Sequence, residues 1–146
     1  MRIAILIVIC VGLAVAGEWV YRGFIRPIDP LGPELLALAE HFDRNGIEVR
    51  PYAVRHNFRH SEVLASAALK IDGFPLPIDV ILCPTEQSAM ERFEAVKRSQ
   101  NLKHPARNGR LVMTLAMWGD DTADMAAKVL RVFSSFEPGA AVQKQD

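Results

Sequence analysis

The stretch SEVLASAALKIDGFPLPIDVILC, residues 61–83, decides the fold. In its first half Val63, Ala65, Ala67, Leu69 and Ile71 fall on one side of an extended chain, while Glu62, Ser66 and Lys70 fall on the other. In its second half Ile78, Val80 and Leu82 repeat that alternation. Asp72-Gly73 supplies a turn between them, and the bend Phe74-Pro75-Leu76-Pro77 makes the connection longer than a tight two-residue loop. Two strands with such a link pair antiparallel.

Upstream, residues 47–55 carry Val49, Tyr52 and Val54 in loose alternation, and Pro51 places this third strand at a sheet edge. Before it, Leu35, Leu38, Ala39 and Phe42 recur at helical spacing from Pro33, a first-turn proline, to Asn45, with Gly46 as terminator. Downstream, Thr85 is placed to cap a helix running to about Ser99 on an Ala89, Phe93, Val96 stripe. Residues 100–110 read as a polar connector ending near the turn pair Asn108-Gly109. Residues 111–118 read as a strand apolar on both faces and therefore central. Ala126, Val129, Leu130 and Phe133 mark a last helix after Gly119-Asp120-Asp121-Thr122. The order α-β-β-β-α-β-α predicts an α+β fold: a four-stranded, mainly antiparallel sheet with about three helices, packed mainly on one face.

The amino terminus has a different character. Residues 3–16 are an uncharged run rich in Ile, Val and Leu, and Ala14-Val15-Ala16 before Gly17 fits signal-peptide cleavage after Ala16. Residues 3–21 are equally close to the roughly 20 residues that span a bilayer core, with Trp19 and Tyr21 as interfacial aromatics. Both readings put the domain in the cell envelope, on the periplasmic or extracytoplasmic side, in contact with the membrane unless cleaved. Arg22 and Arg26, which follow the segment, favour the opposite orientation. The expected organisation is a signal peptide or anchor over 1–22, a Pro/Gly-rich linker over 23–32, one globular domain over 33–136 and a loose tail over 137–146. Cys10 lies inside the apolar run, so Cys83 is the lone cysteine of the domain; no internal disulfide is expected, and a buried strand-end thiol is.

Lys plus Arg and Asp plus Glu number 17 each, a neutrality that argues against general nucleic-acid binding. Phosphate loops, nucleophile elbows, His-Glu-x-x-His and Cys-x-x-Cys are absent, so no catalytic residue and no cofactor is assigned. The one local concentration is residues 50–60, with Arg50, Arg55, His56, Arg59 and His60 and no acid. Guanidinium groups hold carboxylate or phosphate bidentately, and histidine would make the affinity pH-dependent. The competing readings are a solvated basic loop, or arginines paired with Glu48 and Glu62 on neighbouring strands. His56 and His60, four residues apart, are weak metal candidates, with His104 or Cys83 as distant further ligands.

Lys103, His104, Arg107 and Arg110 form a second basic group, which joins the first into one patch only if the sheet brings them together. Trp118 with Asp120 and Asp121 offers an aromatic beside paired carboxylates, although Asp at a helix start is more simply a cap. The apolar tip Phe74–Pro77 offers a docking knob or a buried turn. His41 reads as a surface residue near a helix end. The sequence thus favours a non-enzymatic envelope domain that contacts a protein partner or small anion through its basic loop. The alternative is a small envelope enzyme or metal-binding protein using His56 and His60.

Overall fold

Alternation along residues 65–82 becomes the centre of a five-stranded sheet. The computed structural model describes residues 29–56, 62–99, 103–116 and 120–138. Strands β1 (Val49–His56), β2 (Ala65–Ile71), β3 (Ile78–Leu82), β4 (Lys103–Asn108) and β5 (Leu111–Ala116) lie in the order β1-β2-β3-β5-β4, every neighbouring pair antiparallel. Three helices, α1 (Pro33–Arg44), α2 (Glu86–Arg98) and α3 (Ala123–Ser134), complete the α+β architecture.

Each helix starts or stops for a local reason. Pro33 occupies the first turn of α1, and Gly46 at φ +70° lets the chain reverse as its amide and that of Ile47 donate to Asp43 and Phe42 carbonyls. Thr85 caps α2: its hydroxyl accepts from the Ser88 amide at 3.1 Å while the Ser88 hydroxyl accepts from the Thr85 amide at 3.2 Å. Thr122, not Asp120 or Asp121, is the N-cap of α3; the two acids belong to a short 3-10 turn, Asp120–Thr122, ahead of it.

Strand pleating separates two faces. On one, Leu69, Ile78, Val80, Met113 and Leu115 are buried with Leu38 and Phe42 of α1 and Val129 and Phe133 of α3. On the other, Val112 is buried with Cys83 and with Ala89 of α2, and Ile81 and Phe93 pack around them. Helices therefore cover both faces, α1 and α3 on one and α2 on the other, rather than mainly one as the sequence suggested. Because β5 carries helices on both sides, Leu111 to Leu115 are all buried, as its two apolar faces predicted.

The polar connector expected over 100–110 contains β4, which pairs with β5 along its length and turns into it through Gly109, at φ +54°, and Arg110. The sheet has five strands instead of four for this reason. Lysine, histidine, proline and arginine read as loop, yet they suit an edge strand, where a missing N–H and exposed charge cost little and discourage pairing with another chain. The opposite edge is blunted in the same way. β1 has Pro51 and a register shift between Pro51 and Ala53, a bulge that leaves Tyr52 largely exposed. Among the described residues no helix is long and apolar enough to cross a membrane; the expected leader over 1–22, Cys10 and most of the linker lie outside the described residues.

Candidate functional site

Strand β1 carries the basic segment, and its bulge sorts the arginines. Arg50, before the bulge and opposite Lys70, turns to carboxylates of the domain itself: Glu48 at 2.8 Å and Asp72 at 3.3 Å. The hydrogen bond to Glu48, followed by the charges of Asp72 and Glu48, raises its pKa above the ordinary arginine value. The expected pairing of arginine with Glu48 is realised at this residue, so Arg50 has carboxylate partners within the domain itself.

After the bulge Ala53 pairs with Ala68 and Arg55 with Ser66, so both project on the face that α2 partly covers. Arg55 is exposed and makes no ion pair with any described residue. His56 is committed: a carbonyl can only accept, so its Nε2–H donates to Pro30 at 2.7 Å and ties the chain ahead of α1 to the end of β1. That leaves Nδ1 alone for any ligand. No group of three His, Cys, Asp or Glu is arranged for a metal ion among the described residues. Arg59 and His60 lie outside them.

The second basic group does not join the first. β4 and β1 are opposite edges of the sheet, four strand spacings or roughly 19 Å apart. Its arginines also have structural partners: Arg110 pairs with Glu34 in the first turn of α1 and donates to the Pro84 carbonyl, and Arg107 donates to the Gly109 carbonyl. His104 is exposed on β4. The tip of the β2–β3 hairpin buries Phe74 in the core and leaves Leu76 partly exposed, so the apolar knob is reduced to one side chain. His41 is no free surface residue. Its Nε2–H donates to the Val132 carbonyl at 3.0 Å, and its ring meets Phe136 edge-on at 5.4 Å, joining α1 to the end of α3. Trp118 lies outside the described residues and Asp121 is exposed, leaving the aromatic-carboxylate reading without a described pocket.

A groove that the sequence did not reveal lies beside Arg55. It is an open depression of about 350 Å³ over the strands that α2 leaves uncovered. Ala53, Ser66, Ala68 and Ile81 form its floor, and Arg55 of β1, Arg92 of α2 and Asp79 of β3 supply its charges. Arg92 is 37 positions from Arg55 in the chain, and no motif connects them; only the return of α2 over the sheet does. Like Arg55, it makes no ion pair with a described residue. Cys83 lies nearby under α2, fully buried, and burial pushes its thiol pKa up even though the Arg92 charge pulls it down. It is the buried strand-end thiol expected from the sequence.

Comparison with family models, curated proteins and solved structures finds no match to this chain.

Proposed function

We propose that this chain is a non-enzymatic binding domain of the cell envelope, exported across or anchored to the cytoplasmic membrane by residues 3–21. It contacts a small anion or an acidic protein partner on the Arg55 side of the sheet. One observation carries the contact surface: of the described basic residues in segment 50–60, Arg50 and His56 bond to other groups of the domain, whereas Arg55 is exposed and makes no ion pair with a described residue. An exposed guanidinium on a sheet strand can donate bidentately to carboxylate or phosphate. The envelope location rests on the apolar leader and on the interfacial placement of Trp19 and Tyr21. Metal binding by His56 and His60 is the weaker reading, because His56 gives one ring nitrogen to Pro30.

The location is tested by intact mass and by protease added outside cells whose outer barrier has been opened. The expected result is a mature chain starting at Gly17, or a full-length chain digested from outside. Protection of a full-length chain from that protease would overturn it. The contact is tested by anion binding to Arg55→Gln.

A further inference from the structure

We infer that Asn45 is a self-modification site: in the folded protein it deamidates through a cyclic imide with Gly46, turning the C-cap of α1 into a carboxylate. The sequence holds two Asn-Gly pairs, Asn45-Gly46 and Asn108-Gly109, and glycine hinders this ring closure least because no side chain shields its nitrogen. The Gly46 nitrogen, having given its proton to solvent base, bonds to Asn45 Cγ. The Cγ–Nδ2 bond breaks, and ammonia leaves with a proton taken from water. Water then opens the ring: addition at Cγ gives aspartate, and addition at the main-chain carbonyl carbon gives isoaspartate, with one more methylene in the backbone. No electrons change hands, and water is the only co-reactant.

Surroundings separate the two identical dipeptides. Asn108 is half-buried, and its Nδ2 donates to two carbonyls, Phe133 at 2.8 Å and Phe136 at 2.6 Å. Its side chain swings onto the Gly109 nitrogen only if β4 parts from the end of α3. Asn45 is exposed; its Nδ2 donates to one carbonyl, that of His41, at 2.8 Å, and the Gly46 amide donates to the Asp43 carbonyl at 3.0 Å. Both bonds belong to the last turn of α1, so fraying of one helix end frees the amide and its nucleophile together. The product acts back on the same joint. A carboxylate lacks the N–H that bonded the His41 carbonyl, and it adds negative charge at the negative end of the helix. It also follows two positions after Asp43, whose carboxylate accepts from the Val49 amide at 3.2 Å and ties α1 to β1.

The test incubates the full chain in phosphatidylcholine nanodiscs at mildly alkaline pH, with a parallel sample in urea, and follows both Asn-Gly peptides by mass spectrometry. The expected result is deamidation about tenfold or more faster at Asn45 than at Asn108 in the folded protein, with rates within about threefold of each other in urea. Isoaspartate should appear beside aspartate at residue 45, as ring opening requires, and Asn45→Gln should remain unmodified there. Asn45→Asp, which carries the aspartate product from the start, should unfold at a lower urea concentration than the parent. Equal rates in the folded protein, a faster Asn108, or an Asn45 that changes only in urea would overturn the assignment. Deamidation at Asn45 with an unchanged midpoint for Asn45→Asp would overturn its effect on the joint.

Discussion

Cys83 shows how one side chain's surroundings decide its chemistry. Its thiol is buried beneath α2, and desolvation raises its pKa, so the native state holds a proton at pH values where the unfolded chain has lost it. Stability from this residue is therefore complete below the ordinary thiol pKa of about 8.5 and declines as pH rises above it toward the higher native value. Urea unfolding at pH 7 and pH 9.5 should show the lower midpoint at the higher pH, and the difference should vanish in Cys83→Ala. In the native protein the thiol should react with an aromatic disulfide only at the rate of unfolding. The arginines diverge for equally local reasons. Arg50 is well exposed and its ion pairs are solvated, so Arg50→Gln should leave the urea midpoint of unfolding essentially unchanged. This residue's partner Glu48 was legible in the sequence because it is two positions away, just ahead of β1. The Arg110 partner, Glu34, was not, since only the packing of α1 against the β4–β5 turn unites them.

At the level of elements, the joints are capped by single side chains. Thr85 and Ser88 exchange hydrogen bonds at the start of α2, so Thr85→Ala should cost about 0.5–2 kcal/mol in chemical denaturation, with Thr85→Ser close to the parent. Asn108 reads from the sequence as part of a turn, but it ends β4 and its amide donates to the Phe133 and Phe136 carbonyls at 2.8 and 2.6 Å. It thereby closes the C-terminal end of α3, and Asn108→Ala should cost about 1–3 kcal/mol because two half-buried carbonyls lose their donor. Helices and buried strands were readable because burial imposes a period on them: Leu35, Leu38 and Phe42 in α1, Ala65 to Ile71 in β2. β4 was not. An edge strand has one neighbour, its outward side is free to be charged, and Pro105 breaks no bond that matters there, so the period that marks a buried strand never develops.

For the whole molecule, the decisive feature is how unevenly the helices cover the sheet. α1 and α3 close one face, while α2 lies over β4 and β5 on the other and leaves a groove above β1, β2 and β3. A candidate site made by this incomplete layer has no sequence signature, because its residues come from four elements and share no spacing. Segment 50–60 contributes one residue, Arg55, to the lining of that groove, while the other two of its described basic residues, Arg50 and His56, bond within the domain. The measurement that bears most directly on this account compares Arg55→Gln with Arg50→Gln for binding of inorganic phosphate and of acetate by the full chain. Both variants remove one positive charge from the same strand, so long-range electrostatics is matched. The expected result is about a tenfold loss for Arg55→Gln and less than a twofold change for Arg50→Gln. Equal losses in the two variants would mean that general basicity attracts the anion, and the groove beside Arg55 would no longer be the site.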